Sequence, residues 1–152
     1  MDKYIASVSF GKDSLAMLLM LIDKKYKLDE VIFYDTGMEF QAIYDTRDKV
    51  KKILIEKGIK YTELKPKIPF LHKMLDIEVH KRNGNIQYGY GVCGGRCRWG
   101  TTDKNNTITK YLKKQFGQNY KEYIGIAADE VKRIEKERDK HKLMPLVEWR
   151  SY

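Results

Sequence analysis

The sequence has few cysteines and few prolines, and it has no long apolar run. Its 152 residues include two cysteines and three prolines. Two cysteines cannot form the disulfide framework of a small secreted protein, so we expect thiols, metal ligands or redox residues in a reducing cytoplasm. No stretch reaches the roughly 18 to 20 apolar residues of a membrane span, and the start MDKYIAS lacks the apolar centre of a signal peptide. We therefore expect a cytoplasmic protein that is not embedded in a membrane.

The composition is that of one folded domain over residues 1–152. Hydrophobic residues make up 42% and charged residues 34% of the chain, which excludes a disordered protein. The formal net charge is +9. Such a charge favours anionic partners, including nucleotides, nucleic acid and sulfate esters. A solvated lysine-rich surface explains the same charge equally well.

Strand and helix patterns alternate along the chain. The β-prone runs are 4–9, 31–34, 60–64 and 123–127, and the helical periodicities cover Ser14 to Lys25, Gln41 to Lys57 and Ile108 to Phe116. This alternation predicts an α/β fold, with a doubly wound, mostly parallel sheet and helices on both faces. Ligands of such sheets bind beyond the carboxyl ends of the strands, where the strand order reverses.

The segment 83–100 is rich in glycine, and we expect it to be a long irregular loop. It contains Cys93 and Cys97, four residues apart and next to Arg96 and Arg98. Neighbouring cations favour the reactive thiolate. Three interpretations stay open: a redox-active pair, half of a zinc or iron–sulfur site, and plain free thiols in a basic loop.

The run SFGKDS connects the first strand to the first helix and has the composition of a phosphate-binding turn. Gly11 can adopt a positive φ and allow backbone N–H groups to converge on an anion. Lys12 adds a charge, Ser9 and Ser14 add hydroxyl donors, and the helix dipole points its positive end at the same place. Asp13 could cap the helix or hold a magnesium ion. An ordinary turn that only satisfies backbone geometry is the alternative.

SFGKDS resembles the PP-loop, SGGxDS, of the N-type ATP pyrophosphatases and the phosphoadenosine phosphosulfate (PAPS) reductases, with Phe10 in place of the first glycine. VIFYDTGMEF resembles the second strand of that family and its DTG turn. GIAADEVKR resembles the segment GxRxDESxR, with Ala127 and Val131 in place of its arginine and serine, and LMPLVEW resembles a proline-to-tryptophan segment near the family's C-terminus. The resemblance covers nearly the whole chain.

The resemblance implies a Rossmann-like fold and an adenine nucleotide, either ATP or PAPS, as the ligand. It assigns nucleotide contacts to three segments: Ser9, Phe10, Gly11, Lys12, Asp13 and Ser14; Asp35, Thr36 and Gly37; and Gly125, Asp129 and Arg133. Catalytic roles would fall to Lys12, Asp13, Cys93 and Cys97, with Mg²⁺ at Asp13. The absence of an arginine at 127 weakens the case for a second anion contact.

Four functions follow from these patterns. The favoured one is chemistry at the α-phosphate of ATP with release of pyrophosphate. The second is a PAPS reductase that releases sulfite and uses Cys93, Cys97 or a partner thiol, because the C-terminal cysteine of those reductases has no counterpart after Cys97. The chain is then either naturally short or truncated. The third function is a module that binds or modifies tRNA or DNA. The fourth is a non-catalytic nucleotide-binding protein. The acceptor substrate is not identified, and a homodimer is also open.

Overall fold

The computed structural model describes residues 1–90 and 101–149. In chain order the elements are β1 (Lys3–Val8), α1 (Lys12–Asp23), β2 (Glu30–Tyr34), α2 (Gln41–Glu56), β3 (Lys60–Leu64), α3 (Phe70–Leu75), β4 (Glu78–His80), β5 (Ile86–Tyr88), α4 (Asp103–Phe116), β6 (Tyr120–Ile124), α5 (Val131–Glu137), β7 (Lys142–Leu143) and α6 (Pro145–Glu148).

The main sheet has five strands in the order β3-β2-β1-β6-β7, and every neighbouring pair is parallel. The predicted α/β class is confirmed. The chain leaves β1 toward β2 and β3 and later returns to the other side of β1 with β6. The strand order therefore reverses between β1 and β6, and the crevice at their carboxyl ends is where such sheets bind ligands.

The two faces of the sheet carry separate apolar clusters, because neighbouring residues of a strand point to opposite faces. One face packs against α1 and α2, through residues that include Ala6, Val8, Phe33, Leu18 and Leu54. The other face packs against α4, through Ile5, Ile32, Tyr34, Ile108 and Leu112. All five residues of β2 are buried, as expected for a strand covered on both faces.

Two sequence predictions need correction. The fourth predicted strand, 123–127, lies at Tyr120–Ile124, and the chain leaves the sheet at Gly125. The charged residues Lys121 and Glu122 interrupt the apolar pattern, so the sequence did not indicate that the strand begins at Tyr120. The segment 83–100 is not wholly irregular, since Ile86–Tyr88 pairs with Glu78–His80 in a small antiparallel sheet. Gly84, one of the glycines that suggested a loop, has φ +83° and lies in the hairpin turn. Residues 91–100 lie outside the described part of the chain.

Within residues 1–90 and 101–149, the helices are too short or too polar to cross a bilayer.

Candidate functional site at the carboxyl edge of the sheet

The backbone of residues 9–14 turns sharply at Phe10. Phe10 has φ +57°, a left-handed conformation that is uncommon for a non-glycine residue. Its side chain is buried, with its ring centroid 5.1 Å from that of Phe33. Gly11 has φ −71° and ψ 165°, so the prediction of a positive φ at Gly11 is wrong. The strained torsion lies one residue earlier, where the apolar contact with Phe33 anchors it. Phe10 can therefore offer a ligand only its backbone.

Ser9 and Ser14 hold the turn closed. The Ser14 hydroxyl lies 3.2 Å from the Gly11 carbonyl oxygen, to which it donates, and it accepts the Ser9 N–H at 3.2 Å. The two hydroxyl oxygens are 3.1 Å apart. Ser14 is almost fully buried, at 8% exposure. Its hydroxyl therefore positions the backbone and is not free to donate to a ligand, as the sequence had suggested.

The first turn of α1 is left uncapped. The first intrahelical bond runs from the Leu15 N–H to the Gly11 carbonyl, so the N–H groups of residues 12–14 precede the helical ladder. No side chain caps this helix, so capping, one of the two roles suggested for Asp13, is wrong. Asp13 instead pairs with Lys12, whose ammonium nitrogen is 3.3 Å away and whose side chain is 90% exposed. These amides and Lys12 suit an anion.

Gly125 brings the end of β6 against this turn. A Cβ atom at Gly125 would lie 2.6 Å from the Ser14 Cα and 2.8 Å from the Ser14 nitrogen. Only glycine permits this approach without displacing the backbone. Gly125 therefore contributes to the predicted site by packing, and it brings the segment that follows β6 beside α1.

The turn after β2 is held by Asp35. Its Oδ1 accepts the Gly37 N–H at 2.8 Å and the Tyr44 hydroxyl at 2.8 Å. Gly37 has φ +78°, which the bend requires. The Thr36 hydroxyl donates to Glu39 at 3.0 Å and accepts the Met38 N–H at 3.2 Å. The side chains of Asp35 and Thr36 thus shape a loop that ends in exposed Met38.

The segment after β6 borders a cavity of about 360 Å³, lined by Ala127, Ala128, Asp129 and Leu146. Arg133, predicted to reach an anion, donates to Glu130 Oε2 at 2.9 Å. Glu130 also accepts the Ala127 N–H at 3.2 Å. The hydrogen bond from Arg133 is the main reason that the pKa of Glu130 lies below its ordinary value. Arg133 is thus committed to an internal pair in this structure.

Lys104, in the first turn of α4, is a candidate site residue that the sequence did not suggest. Burial lowers its pKa, with smaller effects from the charges of Glu39, Arg133 and Glu122. These residues come from three different segments: the loop after β2, α5 and β6. Its ammonium group forms no salt bridge with any carboxylate in the described residues. Lysine is unfavourable at a helix N-terminus, so its position in a helical first turn was the available signal.

Cys93 and Cys97 lie outside the described residues. Among the residues that are described, no three His, Cys, Asp or Glu side chains form a group that could hold a metal ion. A second cavity, of about 480 Å³, lies between α5, β7 and α6, and the predicted site residues do not line it.

An uncapped helix start at the strand-order reversal of a parallel sheet is a common feature of proteins that bind anionic ligands, nucleotides above all. Residues 3–152 match the phosphoadenosine phosphosulfate reductase domain. The chain belongs to this family.

A curated relative agrees with the family. The chain is 39% identical over 51 residues to an adenosine 5′-phosphosulfate reductase from Bacillus velezensis. The match covers 34% of this chain and 22% of that protein. The chain therefore aligns with less than a quarter of the length of this relative.

Proposed function

We propose that the chain binds a sulfonucleotide, adenosine 5′-phosphosulfate or PAPS, with the phosphate on the amides of residues 12–14. The observation that carries this proposal is the uncapped first turn of α1 beside Gly125, in a chain that belongs to the PAPS reductase family. Backbone N–H groups at a helix start form a favourable anion site, and the helix dipole adds to it.

Two lysines supply positive charge at this edge of the sheet. Lys12 is free to swing because its side chain is 90% exposed. Lys104 is held in a more buried place, where a bound anion would strengthen its charged form. We propose that Lys12 contacts the phosphate and that Lys104 contacts the more distant anionic group. Asp13 and Glu130 reduce the net positive charge around the turn. The direction of the backbone amides therefore contributes to the selection of anions together with the charge of the lysines.

The reaction would be the transfer of the sulfonate to a thiolate. The thiolate sulfur attacks the sulfonate sulfur, and the bond from that sulfur to the phosphate oxygen breaks. The nucleotide leaves with both electrons of the broken bond, and the amides of the turn stabilise the charge on its phosphate. A second thiol then attacks the sulfur of the sulfonated thiol, which releases sulfite and leaves a disulfide. Cys93 and Cys97, or a thiol of a partner protein, would supply these groups.

A second candidate is chemistry at the α-phosphate of ATP, with pyrophosphate as the leaving group. Asp13 favours it, because a carboxylate in the first turn, 36% exposed, can hold a magnesium ion bound to the phosphates. Lys12 would then stabilise the departing pyrophosphate.

Binding and product analysis distinguish these functions. Calorimetry with adenosine 5′-phosphosulfate, PAPS and Mg²⁺-ATP gives the preferred ligand, and incubation with dithiothreitol gives the products. We expect sulfite with AMP or adenosine 3′,5′-bisphosphate. AMP with pyrophosphate from ATP would replace the first proposal by the second.

A variant pair tests the site itself. Lys12→Ala should reduce nucleotide affinity at least tenfold, whereas Lys49→Ala, which removes an exposed lysine from the middle of α2, should leave it unchanged. Equal affinity in the two variants would exclude the turn at 9–14 as the phosphate site.

A further inference from the structure

The connection between β3 and α4 builds a separate feature at the same edge of the sheet. β3 ends at Leu64 and α4 begins at Asp103, and in a parallel sheet both points lie at the carboxyl edge. An ion pair between Lys73 of α3 and Asp103 ties this connection to the start of α4. The hairpin formed by β4 and β5 therefore belongs to a connection that begins and ends at the carboxyl edge of the sheet.

This hairpin is held by its own hydrogen bonds and by its packing against α3. Its turn is closed by bonds from the Lys81 N–H to the Asn85 carbonyl and from the Gly84 N–H to the Lys81 carbonyl, at 2.9 and 3.0 Å. Its base is locked to α3 at Gly89, where an added Cβ would lie 2.0 Å from the Met74 carbonyl oxygen. The Gly89 N–H also donates to the Ile77 carbonyl at 2.6 Å. The surface of the hairpin is therefore preorganised.

The outward face of the hairpin combines an aromatic ring, an aliphatic side chain and a basic turn. Tyr88 pairs with Glu78 and Ile86 with His80, which places these four side chains on one face. Tyr88 is 71% and Ile86 53% exposed. Glu78 is engaged by His80, whose Nε2 is 3.0 Å from its carboxylate.

The turn itself carries adjacent cations, Lys81 and Arg82. Both are exposed, and neither forms an ion pair with the residues of the described ranges. Basic residues outnumber acidic ones across 65–90, and the two acids of this segment, Asp76 and Glu78, are both paired with histidines. The positive charge at the hairpin tip is thus not neutralised locally.

We propose that this hairpin face binds single-stranded nucleic acid. An unpaired base stacks on the exposed Tyr88 ring, and neighbouring phosphates contact Lys81 and Arg82. Stacking on an aromatic side chain next to cations is the usual means of binding single strands without sequence preference. The net charge of +9 supports a polyanion over an acceptor protein at this face. The inference does not depend on the identity of the nucleotide bound at residues 9–14.

Fluorescence anisotropy with a labelled 20-nucleotide oligomer, as DNA and as RNA, tests the proposal. We expect binding to both single strands, weaker binding to the duplex, and an affinity that falls with salt by a slope of about −0.7 for each phosphate contacted. Tyr88→Ala should weaken binding about fivefold to a hundredfold, and Tyr88→Phe should retain most of it. Lys81→Gln/Arg82→Gln should make the salt slope shallower by about 1.4.

The matched control is Lys113→Gln/Lys114→Gln, which removes the same charge from the exposed last turn of α4 at the opposite edge. It should change affinity much less than the hairpin double variant. Equal losses in the two double variants, or wild-type binding by Tyr88→Ala, would overturn the proposal in favour of general charge attraction.

Self-association that Tyr88→Ala abolishes, with no oligonucleotide binding, would overturn the proposal in favour of a second copy of the chain. The hairpin variants should keep wild-type affinity for the mononucleotide, and Lys12→Ala should keep oligonucleotide binding. A loss of mononucleotide binding can thereby be told apart from a loss of oligonucleotide binding.

Discussion

Gly125 and Ser14 are in backbone contact, although 111 residues separate them in the sequence, and a single methyl group at Gly125 would lie 2.6 Å from the Ser14 Cα. This contact joins the end of β6 to the first turn of α1. It fixes the width of the crevice where the strand order reverses. The candidate phosphate site therefore depends on a residue that carries no functional group.

A first prediction concerns this contact. Gly125→Ala should destabilise the protein by about 1–3 kcal/mol, because the methyl group forces the backbone apart, and it should also weaken nucleotide binding. Gly11→Ala is the matched variant: its φ is −71°, and its new Cβ would meet only the Ser9 hydroxyl, at 3.6 Å. Urea denaturation should show a smaller loss for Gly11→Ala, of at most about 1 kcal/mol, because its only cost is the preference of the N-cap position for glycine over alanine. Similar losses in both variants would contradict the structure.

A second prediction concerns the left-handed torsion of Phe10. Phe10→Ala should lower the free energy of unfolding by about 3–5 kcal/mol, because the buried contact with Phe33 is lost. Phe10→Gly loses the same contact but relieves the strain of φ +57°. It should therefore be more stable than Phe10→Ala by about 1 kcal/mol. Urea denaturation of both variants measures this difference. A higher free energy of unfolding for Phe10→Ala than for Phe10→Gly would show that the torsion is not strained.

A third prediction concerns pH and nucleotide binding. Burial lowers the pKa of Lys104, so the charged form that binds an anion is lost at a lower pH than for an ordinary lysine. Affinity for the sulfonucleotide should fall as the pH is raised from 7 toward 10. Lys104→Met should bind about 10- to 100-fold more weakly at pH 7, as expected for the loss of a charge-assisted contact.

The variant should also lose most of this pH dependence. Calorimetry at several pH values makes the measurement, with Lys49→Met as the control. An unchanged pH profile in Lys104→Met would show that Lys104 does not contact the ligand.

A fourth prediction concerns Glu122, which lies in β6 and accepts the Ser7 hydroxyl at 2.6 Å. Burial raises the pKa of this carboxyl above its ordinary value. Its contribution to stability is therefore fully present below the ordinary carboxyl pKa of about 4.3 and is lost as the pH rises through the raised value. Glu122→Gln, which keeps a side-chain oxygen for Ser7, should remove this loss.

We expect Tm at pH 7.5 to rise by about 2–4 °C in Glu122→Gln, the shift that about 1 kcal/mol produces at this chain length. At pH 4 the variant and the wild type should have similar Tm values. Scanning calorimetry at both pH values makes the comparison. A lower Tm for the variant at pH 7.5 would show that the ionised carboxylate is stabilising in its place.

Much of the fold could be predicted because it follows from local patterns. β3 lies at 60–64 as predicted, and α2 ends one residue before the predicted Lys57. The hairpin and the position of β6 could not be predicted, because their strands are short and contain charged residues. The pairing of Glu78–His80 with Ile86–Tyr88 is accompanied by packing of Gly89 on α3, a contact that no local pattern predicts.

The sequence likewise predicted only part of the candidate site. The run SFGKDS predicted a turn between β1 and α1, and the structure has a turn there that leads into an uncapped helix. Anion binding at this turn stays a prediction. The pairing of Arg133 with Glu130 and the place of Lys104 depend on side chains from distant segments. A pattern in one segment contains no information on which other segment will face it.

The sequence by itself determined the alternation of strands and helices, and with it the parallel sheet, the edge that carries the turn at 9–14 and the excess of positive charge. These properties depend on residues close together in the chain. Only the tertiary structure decided that β6 lies beside β1, that Gly125 contacts Ser14, and that Lys104 and the ends of the connection that carries the hairpin at Tyr88 lie at the same edge. Such contacts arise when the strands order themselves in the sheet, because only then do residues far apart in sequence become neighbours.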